Sequence, residues 1–244
     1  ALAATDCNGV PYDGDGLKVI YVVRHGEKNQ AGNHLSSMGL ARSEYIKLLW
    51  GGGANARFAT PKAVFANFYN QEFNSVELAR PLADKLSLPV ISDYNRLNNT
   101  QAATAILKKL DETGGPIFVA WEHKNIVNLV HALGCSCGWM ENWAGQNWPK
   151  TDFDEIFILG LREGSCLGVD LQQEGFNDLV MWRHFIVPVM AWSLVIALAM
   201  LLVWIRWRGL GPYRSAIYST SSISSMSPSS SASPAASEPL LKVV

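Results

Sequence analysis

From Phe185 to Ile205 the chain reads FIVPVMAWSLVIALAMLLVWI, without one charged residue. At about 1.5 Å per residue, a helix of this length crosses the roughly 30 Å hydrocarbon core of a bilayer. A helix apolar on every side needs lipid or protein around its whole circumference. The strands and helices ahead of it already make a complete domain, so the stretch reads as a transmembrane helix and not as a core helix. Trp182, Trp204 and Trp207 lie near its ends, where amphipathic rings favour the interface. The span divides the chain into four parts. These are an irregular leader over 1–16, one domain over 17–180, the span at 185–205, and a tail over 206–244. The tail is rich in Ser, Pro and Ala and is expected to be disordered.

Flanking cations give an orientation. Arg206, Arg208 and Arg214 follow the span, and only Arg183 closely precedes it. The positive-inside rule then puts the tail in the cytoplasm and the main domain in the extracellular or luminal space, as a single-pass membrane protein. The alternative is a tail-anchored protein with a cytosolic domain, against which the long segment after the span argues. The outer side is oxidising, in keeping with an even set of cysteines: Cys7, Cys135, Cys137 and Cys166. Cys135 and Cys137 are too close in sequence to pair easily with each other. With no second ligand cluster beside them, no metal is expected. Asn98-Asn99-Thr100 becomes a possible glycosylation sequon. The leader's Ala1-Leu2-Ala3 suits the end of a signal peptide. Lys and Arg number 20 against 21 Asp and Glu, so no basic face points to nucleic acid.

Within the domain, strand and helix patterns alternate. Val19–Val23, Ala63–Ala66 and Pro116–Trp121 are short apolar runs that suit buried strands, and Pro89–Ser92 is a possible short extended piece. Helices are expected from Ser36 or Ser37 to Trp50, over Ser75–Leu86, over Gln101–Leu110 behind a Thr100 cap, and over Asn125–Leu133. Glu155–Leu161 and Leu167–Gln172 make a terminal hairpin. Alternating βαβ units predict an α/β fold, a three-layer αβα sandwich on a mostly parallel central sheet.

The first strand delivers Arg24, His25 and Gly26 at its C-terminal end, and the strand IFVAW delivers Glu122, His123 and Lys124 at its own. Ligands bind at strand ends in open α/β sheets. An imidazole beside a fixed guanidinium suits phosphate, which arginine grips bidentately. If the two strands are neighbours, both histidines face one pocket.

The pieces VIYVVRHGEK, LSSMGLARSEYIKLL, PLADKLSLPV, IFVAWEHKNIVNLVHALG and WPKTDFDEIFIL occur in that order. Together they resemble the histidine phosphatase superfamily, also called phosphoglycerate mutase-like, over about residues 17 to 172. The resemblance implies a phosphomonoesterase that needs no metal or cofactor. His25 would be the nucleophile that becomes phosphohistidine, Arg24 a phosphate-gripping arginine, and His123 the second pocket histidine. The partner would be a small phosphorylated substrate or ligand.

Two parts of the family pattern are missing. The family's second arginine, early in the helix after the second strand, falls on Gln71 in one alignment and on Asn74 in another. Gln71 is therefore the expected phosphate-binding position, and Arg80 or Arg96 would have to bring in the missing charge. Lys124 stands where relatives of acid phosphatases carry an acidic residue. Glu122 is the remaining candidate acid, although strand alternation would turn it away from a pocket that His123 faces. Glu27 is expected to pair with Lys28, and Asp93 is the acid nearest the segment where mutase-like members carry a glutamate. Lys28, Asn29 and His34 read as solvated loop residues, His131 as structural and His184 as interfacial. Two readings stay open: a membrane-tethered phosphatase, and an inactive domain of the same fold that binds a phosphorylated ligand or partner.

Overall fold

The computed structural model describes residues 6–7, 9–10, 16–54, 56–181 and 187–209. Arg183, His184 and the tail beyond 209 lie outside these, as does most of the leader. The chain divides into two compact units, with the boundary between Phe185 and Ile186.

The first unit is built on six strands: β1 Lys18–Arg24, β2 Ala63–Ala66, β3 Val90–Ile91, β4 Ile117–Trp121, β5 Glu155–Arg162 and β6 Ser165–Gln173. Their order across the sheet is β3-β2-β4-β1-β5-β6. The first four are parallel and β5 and β6 run antiparallel to them. Helices α1 (Ser37–Trp50), α2 (Asn74–Leu86), α3 (Asn99–Thr113) and α4 (His123–Ala132) cover the sheet. Successive side chains of β1 divide between its faces, as a period of two requires. Ile20 and Val22 join Ile106, Ile126 and Val130 of α3 and α4. Tyr21 and Val23 join Ile46, Trp50, Leu78 and Leu82 of α1 and α2. The result is the expected three-layer sandwich. β4 lies between β2 and β1 and is buried along its whole length, which is why its sequence is apolar throughout instead of alternating.

Local chemistry sets the boundaries. Ser36 caps α1 by accepting a hydrogen bond from the Gly39 N–H at 3.2 Å. Glu163 and Gly164 both take positive φ, 50° and 75°, the geometry that turns a two-residue hairpin. Two expected boundaries move. α3 begins at Asn99, and Thr100 lies inside it instead of capping it, its carbonyl accepting from the Thr104 hydroxyl. α4 begins at His123, two residues earlier than expected, and this shift changes the site described below.

The cysteines form two disulfides, Cys7–Cys137 and Cys135–Cys166. The two close-spaced cysteines thus take different partners. The leader is not wholly irregular: Asp6 bridges the edge strand β6 at Gly168, its N–H donating to the Leu167 carbonyl and its carbonyl accepting from Val169.

The second unit is helix α6, Val187–Gly209. Its stretch Val189–Arg208 has a mean hydropathy of 2.2 and is long and apolar enough to cross a membrane. A short helix, α5 (Phe176–Met181), closes the first unit.

Candidate active site

The register of β1 against β4 pairs Arg24 with Trp121, and the His25 N–H donates to the Trp121 carbonyl at 3.1 Å. The two strand ends are therefore adjacent, and the two histidines meet. Their ring centroids lie 5.7 Å apart, edge to face. His25 is 3% exposed. Its Nδ1 lies 2.8 Å from the Gly26 carbonyl; carrying the proton there leaves the Nε2 lone pair free. That Nε2 is buried with no protein partner. Burial, reinforced by the charges of Lys28 and Arg24, holds the His25 pKa down to about 3 against the pull of Gly26. His123 is likewise held to about 3, by burial first and then by Arg24 and Lys124. Both imidazoles are neutral at physiological pH, and the Nε2 lone pair of His25 is free.

Glu122 belongs to the same place, contrary to the alternation expected of it. β4 stops at Trp121, and Glu122 (φ −77°, ψ 125°) is the residue that precedes α4, so a period of two no longer governs where it points. It is 5% exposed and lines a small cavity with His25, Asn67, Glu72, Asn74, Ser75 and Arg96. Its Oε2 accepts from Asn125 Nδ2 at 2.8 Å. Its Oε1 lies 3.6 Å from His123 Nδ1 and 3.9 Å from Arg96 Nη1.

Arg24 is held by backbone. Its Nη1 donates to the carbonyls of Pro149 and Asp152, its Nη2 to that of Lys150 at 3.3 Å, and its guanidinium lies 3.9 Å above the Phe153 ring. Among the described residues no carboxylate lies within ion-pairing distance of it, and its Nε is buried without a partner. Burial lowers its pKa to about 10, against the pull of Asp152 and Glu122.

Gln71 is exposed at the tip of a tight turn, with φ 61°, and is not among the residues that line the cavity. The start of α2 contributes Asn74 and Ser75 instead. Ser75 Oγ donates to Asn67 Oδ1 at 2.9 Å, and Asn74 Nδ2 to the Gly32 carbonyl at 3.1 Å. Arg80 lines a larger groove between α1 and α2, among Leu40, Lys47, Leu48 and Asp84. That groove holds no histidine, whereas His25 lines the smaller cavity. Lys28 pairs with Glu72 at 2.8 Å, and Glu27 pairs with Arg42 and not with Lys28. His34 pairs with Glu77 and stacks on Phe73 at 5.2 Å. His131 is exposed beside Glu141, 3.8 Å away.

Sequence reasoning missed the cluster around Arg42. This arginine is fully buried and bonds Glu27 through two nitrogens, at 2.8 and 3.2 Å. It also reaches Asp154 at 3.0 Å, Glu174 at 2.9 Å and Asn177 at 2.8 Å. Asp154 in turn accepts from the backbone N–H groups of Gly175, Phe176 and Asn177. The segment WPKTDFDE showed that residues near Phe153 and Asp154 matter, but nothing local tied them to Arg42.

No family model matches this chain, and no curated protein does. Similar solved structures exist. One is the protein histidine phosphatase SixA complexed with tungstate, at 17% identity over 64% of this chain and 97% of that one, TM-score 0.45. A second is a phosphoserine phosphatase from Entamoeba histolytica in complex with phosphoserine, at 11% identity over 65% of this chain and 98% of that one, TM-score 0.42. A third is a phosphoglycerate mutase from Bacillus anthracis, at 9% identity over 70% of this chain and 96% of that one, TM-score 0.40.

Proposed function

We propose that this protein is a membrane-tethered phosphomonoesterase acting through a phosphohistidine intermediate. One observation carries the reading. His25 is a buried, neutral imidazole with one nitrogen at the Gly26 carbonyl and the other unpartnered, and it lies next to a second neutral histidine and to Arg24, which among the described residues has no carboxylate within ion-pairing distance. In the proposed reaction the Nε2 lone pair attacks phosphorus. The P–N bond forms as the bond from phosphorus to the leaving oxygen breaks. Arg24 and His123 stabilise the equatorial oxygens where charge gathers. Glu122, which lines the same cavity, hands a proton to the leaving oxygen and later takes one from the water that hydrolyses the phosphohistidine. No metal or cofactor enters the scheme.

The span, with Arg206 and Arg208 in its last turn, supports a single-pass protein with a cytoplasmic tail. The two disulfides support an extracellular or luminal domain. A second reading, a binder without turnover, rests on the two carboxylates, Glu72 and Glu122, that line the cavity. The test is turnover of an aryl phosphate by the full chain in detergent micelles, wild type against His25→Ala. The proposal expects turnover that His25→Ala abolishes, together with an acid-labile phosphate on the wild type after quenching. Phosphate binding with no turnover in either form would establish the binder instead.

A further inference from the structure

The site described so far has one buried arginine for a group carrying close to two negative charges. The start of α2, where the resemblance calls for a second, offers only Asn74 and Ser75. The charge has to come from another element. Arg80 faces the groove between α1 and α2. Lys28 is already paired with Glu72 at 2.8 Å.

Arg96 fits. It lies in the loop between β3 and α3, and that loop is fixed to the end of β2. Phe68 N–H donates to the Tyr94 carbonyl, Arg96 N–H to the Phe68 carbonyl, and Asn95 bridges Phe68. The Arg96 guanidinium carbon lies over the Tyr69 ring, 3.6 Å from its centroid. Stacking occupies the faces of a guanidinium and leaves its in-plane N–H fork free for an anion. The side chain lines the same cavity as His25. Its Nε is buried without a partner, and its nearest carboxylate contact is long, 3.9 Å to Glu122. His25 Nε2, nine-tenths buried and more, is unpartnered in that cavity as well.

We propose that Arg96 is the second phosphate-binding cation of this protein. It holds the phosphoryl group of a monoester, or free inorganic phosphate, beside His25, with Glu122 3.9 Å away across the same cavity. The inference rests on the phosphate-handling reading of the site and adds to it the residue that replaces the missing arginine of α2.

The test uses the full chain in micelles, with inorganic phosphate as the probe. Affinity is read from the phosphate-dependent rise in melting temperature and from competitive inhibition of aryl phosphate turnover. Arg96→Met is expected to weaken phosphate binding about a hundredfold. Arg96→Lys keeps the charge without the fork and should fall in between, and Arg80→Met should match wild type. Undiminished phosphate affinity in either Arg96 variant overturns the inference; the lysine variant decides if the methionine variant does not fold. If that occurs while His25→Ala still abolishes turnover, only the role of Arg96 fails. A wild type that neither binds phosphate nor turns over substrate overturns the phosphatase reading and this inference with it.

Discussion

Arg24 and Arg42 are both buried, and both lie near the same ring: Arg24 is 3.9 Å and Arg42 5.9 Å from the centroid of Phe153. Their surroundings differ in kind. Arg42 is ringed by Glu27, Asp154 and Glu174. Burial alone would lower its pKa, but the hydrogen bonds and charges of these carboxylates outweigh burial and hold it above its ordinary value. Arg24 is fastened by carbonyls that give direction but no charge, and burial holds it to about 10. A buried guanidinium with its counter-charges built in is scaffold. One oriented by neutral acceptors keeps its charge for a ligand. Burial alone does not separate the two roles, whereas the charge of the acceptors does.

The largest effect follows from removing the scaffold cation. Arg42→Met leaves Glu27 and Asp154 charged beside the Glu174 carboxyl in the interior, and breaking a buried ionic cluster from one side costs about 3–5 kcal/mol. Thermal unfolding followed by near-UV circular dichroism should show a large drop in the melting temperature, or no folded protein. A variant as stable as wild type would mean that the cluster is dispensable and that the contrast between the two arginines is not one of structure against function.

Arg24→Met should do the reverse. Losing one preorganised charge from a phosphoryl-transfer site costs about a hundredfold to a thousandfold in turnover, while the fold, deprived only of hydrogen bonds to loop carbonyls, loses less stability than in Arg42→Met. Steady-state kinetics and the same melting experiment, run side by side, test this. If Arg24→Met unfolds as readily as Arg42→Met, Arg24 is holding the 149–152 loop and not a ligand.

Why one arginine was legible in the sequence and the other was not is a matter of distance along the chain. Arg24 and His25 stand at the end of a β-branched apolar run, and His123 stands two residues beyond the end of another. Strand ends can be read locally; that the two strands are neighbours was only a condition of the sequence reading, and their register meets it. Arg42 meets Asp154 and Glu174 across separations of 112 and 132 residues, and a lone arginine in a helix reads as surface. Glu122 was misjudged because strand periodicity was carried one residue past the strand. Gln71 was placed by aligning a helix that begins only at Asn74; the preceding turn sets it out in solvent. The approach of Arg96 to the cavity depends on its stacking on Tyr69 and on the pairing of its loop with Phe68, neither of which leaves a trace in local pattern. The pairing of close-spaced cysteines with distant partners is hidden for the same reason.

The smallest effect separates the two regions by pH. On the Arg24 side, His25 and His123 are held near 3 in the folded state against an ordinary value of 6.5. Below 6.5 the unfolded chain takes up protons that the folded site refuses, so stability is fully present above 6.5 and is lost as pH falls toward 3. Each histidine then contributes a loss of about 2 kcal/mol by pH 5, at about 1.4 kcal/mol per unit. On the Arg42 side the sign is opposite. Glu174 is fully buried, and burial pushes its carboxyl up to about 8 despite Arg42. Its folded form holds a proton that the unfolded form releases above an ordinary value of 4.5, so this contribution declines as pH rises from 4.5 toward 8. Melting temperature against pH should therefore fall on both sides of a mildly acidic maximum. His123→Asn should flatten the acid limb and leave the alkaline limb unchanged, because Asn does not titrate and His123 has no contact with Glu174. An acid limb that persists in full in His123→Asn and in His25→Asn would show that neither imidazole is kept neutral by the fold, and the nucleophile would lose the free lone pair on which the proposed chemistry depends.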